Sequence, residues 1–100
     1  VGVDLSAIRI ETIFISSNWD RTIKYIRSGD DGQIKIFICQ DDEVSFKDGP
    51  KSDGHLYLNQ PALTDLNLKQ DDVIAFVNIG GDGLLNYGYW KELWRTLSVK

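Results

Sequence analysis

Leu84-Leu85-Asn86-Tyr87-Gly88-Tyr89-Trp90-Lys91-Glu92-Leu93-Trp94-Arg95-Thr96-Leu97 is the stretch on which the fold class turns. Leu85, Tyr89, Trp90, Leu93, Trp94 and Leu97 recur at three- and four-residue spacing, with Lys91, Glu92 and Arg95 between them. That period matches a single apolar stripe on an α-helix. Asn86 stands where an N-cap would stand, and Arg95 and Lys100 suit the negative end of a helix dipole. The pattern predicts an amphipathic helix over 84–98, with Gly88 as a cost near its start.

Upstream of this segment the signals are those of strands. Ile8 to Ile15 alternates apolar and polar residues and then turns apolar on both faces, which predicts a central strand. Gln33 to Cys39 sets Ile34, Ile36 and Ile38 on one face against Lys35, Phe37 and Cys39 on the other. Val73 to Ile79 is apolar on both faces, as a strand interior to a sheet would be. Val44–Lys47 and His55–Leu58 are shorter candidates, separated by the loop Asp48-Gly49-Pro50-Lys51-Ser52-Asp53-Gly54. Asn18 to Ser28 reads equally as a capped helix, with Trp19, Ile23 and Ile26 on one face, or as a strand leading into a Gly29-Asp30-Asp31-Gly32 hairpin turn.

The chain of 100 residues is expected to form a single domain, because two cores of about 50 residues each would sit at the lower limit of independent folding. Its 42% hydrophobic and 26% charged residues match a globular domain and lack the signature of disorder. No apolar run approaches the roughly 18 residues of a membrane span. Cys39, the single cysteine, has no disulfide partner within the chain, which suits a reducing, cytoplasmic setting. The absence of Met suggests a segment of a longer or processed chain. The net charge of −4 is concentrated in residues 30–54, where Asp30, Asp31, Asp41, Asp42, Glu43, Asp48 and Asp53 outnumber three lysines. Such a surface repels nucleic acid and attracts a basic partner.

From Val44 onward the order is a short strand, a loop, His55-Leu56-Tyr57-Leu58, then Ala62-Leu63-Thr64-Asp65-Leu66-Asn67-Leu68, an acidic turn and the apolar strand Val73 to Ile79. Over residues 8–81 this order resembles a ubiquitin-like β-grasp domain, either a modifier or the ubiquitin-fold domain of ubiquitin-type activating enzymes. Leu63, Asp65, Leu66 and Leu68 stand where that family carries the turn before its last strand. The resemblance implies an α+β fold of about five strands grasping a helix at Ser17–Ser28, with the aromatic helix added at the C-terminus. The runner-up is an all-β meander closed by the same C-terminal helix, as in pleckstrin-homology-type domains.

The resemblance further implies a non-enzymatic module for protein–protein interaction. Tyr87, Tyr89, Trp90 and Trp94 are the candidate binding residues, being of the types that dominate interface hot spots. Gly80-Gly81 is similar to the diglycine at which modifiers and sulfur carriers are activated, which would require removal of residues 82–100. A third possibility is a small acidic inhibitor, such as an immunity or phage-encoded antagonist protein. No catalytic constellation is visible: one Cys and one His, Cys39 and His55, are the only nucleophile–base pair of that kind, and Cys39 lies in an apolar strand. No cofactor motif and no metal-ligand spacing occur, so the expected partner is another protein, with a homodimer as one form of it.

Overall fold

The computed structural model describes residues 9–16, 22–41 and 43–97. They form eight strands in chain order: β1 (Ile10–Ile15), β2 (Thr22–Ile23), β3 (Ile34–Cys39), β4 (Val44–Lys47), β5 (Leu56–Tyr57), β6 (Asp65–Leu68), β7 (Val73–Ile79) and β8 (Tyr89–Thr96). Two mixed sheets result, one of five strands in the order β1-β3-β7-β8-β5 and one of three in the order β2-β4-β6. In the larger sheet β1 runs parallel to β3 and β5 parallel to β8, while β7 is antiparallel to both its neighbours. A parallel bridge from Asp48 to Leu56 carries the line of β4 onto β5 and joins the two sheets.

No helix occurs among the described residues, so the α+β assignment is corrected to all-β. The segment assigned to a C-terminal helix over 84–98 is instead an irregular loop followed by β8. The residues of the helical period do not share a face, since Trp90 points into the core and Trp94 outward, and a β-bulge interrupts the alternation. Trp94 pairs with Ala75 and Glu92 with Phe76, so Leu93 is an extra residue and the alternation slips by one position there. Tyr, Trp and Thr are also strand formers, and Gly88, at φ 59°, turns the chain into β8 rather than opening a helix.

The grasped helix of the β-grasp scheme is absent among the described residues as well. Within Asn18–Ser28 these form β2 and a single bridge from Tyr25 to His55; residues 17–21 lie outside the described set. β1 was expected to be central and is an edge strand, paired on one side with β3. The all-β alternative is corrected in its helix, since β8 lies inside the large sheet.

The core lies between the sheets. Phe37 of β3 and Phe76 of β7 meet Phe46 of β4, with ring centroids 5.5 to 6.0 Å apart. Val44, Leu66 and Leu68 from the small sheet, Ile15 and Ile74 from the large one, and Leu56, Leu58 and Trp90 complete it. Each such side chain stabilises the fold by about 1.5–3 kcal/mol through burial. Asp65–Leu68 shows the pleat at work: Leu66 and Leu68 are buried and Asp65 and Asn67 exposed.

A candidate protein-binding face

Register decides which face of the large sheet is left open. Residues paired across a ladder point to the same side, so Ile10, Ile34, Val77 and Lys91 form one row. Thr12, Ile36, Ala75 and Trp94 form the next, and Phe14, Ile38, Val73 and Thr96 the third. The intervening residues, Phe37, Ile74 and Phe76 among them, point into the core. The two apolar faces of β3 and β7 therefore have different fates, one packed against the small sheet and one turned outward.

The outward face is uncovered at its prominent side chains: Ile10 is 58% exposed, Phe14 52%, Leu93 43% and Trp94 45%. The bulge contributes to this. It turns the adjacent Leu93 and Trp94 to the same side, where strict alternation would have buried one of them. Lys91, Thr12 and Thr96 are the polar members of the rows.

Acidic loops border one end of this face. The 40–43 loop follows β3 and the 69–72 loop precedes β7, so both abut the Phe14–Ile38–Val73 row. Backbone bonds tie them together, from Cys39 N to Asp72 O and from Asp71 N to Cys39 O, each 2.9 Å. Asp41, Glu43 and Asp71 gather here, and Asp72, itself buried, fixes its own turn by accepting from Lys69 N at 2.9 Å. The other acids of the acidic middle are dispersed. Asp30 pairs with Arg9, Asp53 with Arg27, Asp31 accepts from Gly80 N, and Asp48 is internal; Asp42 lies outside the described residues.

The four aromatic residues singled out in the sequence do not form one surface. Trp94 lies on the outward face, and Tyr89 lies half-buried at the start of β8, edge-on to Tyr57 at 6.2 Å. Trp90 points the other way and is fully buried. Tyr87 sits in the loop, where its carbonyl accepts from Asn78 Nδ2 at 3.0 Å.

Gly80-Gly81 is held as an internal connection. Gly81 is buried, its N–H donates to Asn78 Oδ1 at 2.9 Å and its carbonyl accepts from Asp31 N at 2.9 Å. A Cβ at Gly81 would meet Asn78 Oδ1 at 2.5 Å and Gly29 O at 2.7 Å. Cleavage after Gly81 would remove β8 from between β7 and β5.

Cys39 and His55 keep different company. The Cys39 thiol lies near the carbonyls of Asp41 and Leu68, and burial pushes its pKa up, which suppresses the nucleophilic thiolate. His55 engages the Ser52 carbonyl and the ring of Tyr25. Among the described residues no group of three or more His, Cys, Asp or Glu side chains is placed to hold a metal ion.

Sequence reasoning missed a polar layer beneath the sheet. Lys35 is buried, its Nζ 3.1 Å from Glu11 Oε1 and 5.6 Å from the centre of the Trp90 ring, and Gln33 also donates to Glu11. Farther along, buried Glu92 accepts from Arg95 Nε at 2.7 Å and from Asn59 N at 2.9 Å. The carboxylate beside it raises the Arg95 pKa further. The available signal was parity: Gln33 and Lys35 share the inward face with Phe37 and Cys39.

Comparison with protein-family models, with curated proteins and with solved structures found no match.

Proposed function

We propose that this domain is a non-enzymatic protein-binding module that receives its partner on the outward face of the five-stranded sheet. The observation that carries this reading is the contiguity of that face: three successive ladder rows are apolar at most positions, and Ile10, Phe14, Leu93 and Trp94 stand out from them. Monomeric proteins rarely leave contiguous apolar areas of this kind open unless they are interaction sites. Trp94 supplies a hot-spot side chain. The acidic loops at one end favour a partner whose apolar stripe is flanked by lysine or arginine, and they would accelerate its association at low salt.

A photo-crosslinking residue placed at Ile36 and at Trp94, with Asp65 of β6 as control, tests the reading in cells that make the protein. The expected result is one discrete adduct from the two sheet positions, absent from the control and abolished by Phe14→Lys in the same chain. Sedimentation of the purified protein identifies whether the partner is a second copy. The reading is overturned by equal crosslinking from Asp65, or by adducts that survive Phe14→Lys.

A further inference from the structure

A second feature shares no residue with the outward face of the large sheet. Between β2, β4 and the 48–55 loop lies a hollow of about 300 Å³, at the lower end of the range for small-molecule sites. Its floor is backbone. A Cβ on Gly49 would come within 2.8 Å of His55 Cδ2, so the imidazole lies directly on the main chain. His55 Nδ1 is 2.8 Å from the Ser52 carbonyl oxygen; a carbonyl only accepts, so Nδ1 carries the proton and Nε2 is the ring's second polar atom. Tyr25 meets this ring edge-on at 5.8 Å, and its other neighbour is the Arg27 guanidinium, 4.1 Å from the ring centre.

The charges around the hollow are unbalanced. Lys24 follows Ile23 and Lys47 follows Phe46, which are paired in a parallel ladder, so the two lysines leave the ladder side by side. Neither is in an ion pair among the described residues. Asp65 stands opposite Lys47 in the β4–β6 ladder without forming one. Asp48 borders the hollow but is buried, and both its oxygens are committed, to Leu58 N at 2.9 Å and to Leu63 N at 3.0 Å.

That second bond holds an unusual lip. Leu63 has φ 64°, a left-handed conformation unfavourable for a branched side chain, and is 85% exposed at the edge of the hollow. Strain of this sort persists where the surroundings enforce it, and here a buried carboxylate does so.

We infer that this hollow binds a small aromatic carboxylate. Its ring would lie between Tyr25 and His55 on one side and Pro50 and Leu63 on the other, and its carboxylate would reach Lys24 and Lys47. The apolar walls supply contact area, the aromatic edges favour a flat ring, and the adjacent ammonium groups select the anion.

Titration of the full chain with phenylacetate, followed by backbone amide NMR, tests this. The expected result is saturable shifts at Tyr25, Gly49, His55 and Leu63, with a dissociation constant of about 1 mM for so small a ligand. The double variant Lys24→Ala/Lys47→Ala, both at exposed positions, is expected to weaken binding tenfold or more while leaving the rest of the spectrum unchanged. The neutral 2-phenylethanol is expected to bind at least tenfold more weakly, and acetate and inorganic phosphate to produce no saturable shift at Tyr25. Equal binding of 2-phenylethanol, equal response to acetate or phosphate, retention of affinity in the lysine variant, or no saturable shift at these amides would each overturn the inference.

Discussion

The indole Nε1 of Trp90 donates to the carbonyl oxygen of Ile26, 2.9 Å away and 64 residues earlier in the chain. The bond fastens the start of β8 to the segment between β2 and β3, and the indole also closes over Gly29, where a Cβ would come within 2.7 Å of it. The largest of the fully buried side chains among the described residues is thus both a core residue and a polar clasp.

Trp90→Ala is expected to cost about 3–5 kcal/mol, the usual range for removing a buried tryptophan, against a typical domain stability of about 5–15 kcal/mol. Trp90→Phe keeps most of the volume but leaves the Ile26 carbonyl without its donor, at a cost of about 1–3 kcal/mol. Urea unfolding monitored by circular dichroism measures both. A Trp90→Phe protein as stable as the parent would show that the bond contributes nothing.

Removal of residues 82–100 is expected to abolish the fold, because it deletes β8 and opens both β7 and β5. The amide spectrum of residues 1–81 should lose its dispersion, and thermal unfolding should lose its cooperative transition. A dispersed spectrum from the truncated chain would contradict the central placement of β8.

Leu63→Asn replaces a side chain ill suited to φ 64° with one that tolerates it, at a site where the original leucine is largely exposed. Stability is expected to rise by up to about 1 kcal/mol, while phenylacetate affinity falls through loss of the apolar lip. Opposite movement of the two measurements would be the signature of strain kept for binding. A fall in both would make Leu63 an ordinary packing residue.

Asp82 accepts from Leu84 N at 2.8 Å, and from Leu85 N and Asn86 N at 3.0 Å each. These bonds hold its carboxyl below the usual aspartate range, the Leu84 bond contributing most. A depressed folded-state value means that the stabilising contribution is complete above the unfolded-state pKa and is lost as pH falls through the folded one. The amide shifts of Leu84, Leu85 and Asn86 should therefore stay constant through the ordinary aspartate range and move together only at lower pH. Asp82→Ala should shift them at neutral pH, with the core unaffected. Movement of these amides within the ordinary aspartate range would refute this.

Much of the strand inventory was legible because β-branched and aromatic residues alternate cleanly. The expected Val44–Lys47 and Val73–Ile79 coincide with β4 and β7, and Gln33–Cys39 exceeds β3 by one residue. β8 resembles a helix in sequence for a definite reason: its apolar residues fall on both faces of the strand and an inserted residue breaks the alternation, leaving spacings of three and four that periodicity alone does not distinguish from a helix. β6 alternated all along, in Asp65-Leu66-Asn67-Leu68, but was taken up into a family turn motif. In the candidate face, Trp94 was legible and the isoleucines of β3 were not assignable. One parity of that strand is all isoleucine and the other mixes Lys35 with Phe37 and Cys39, yet the mixed one meets the core, because that is the side on which Phe46 of the other sheet packs. The lysine-lined hollow was beyond sequence reading, since its parts come from the two residues after β2, the end of β4, the 48–55 loop and Leu63.

β8 is the latest of the described strands and the fourth across the large sheet. On the ribosome, β7 can be complete while it still presents a bare row of donors and acceptors, and β5 lacks its partner, the Trp90–Lys91 stretch of β8. The pairings of β1 with β3, β3 with β7 and β5 with β8 join residues far apart in the chain, a pattern that makes folding slow. The transient species, with β7 as an apolar open edge, is the form in which this chain is most exposed to misassembly and most dependent on a chaperone.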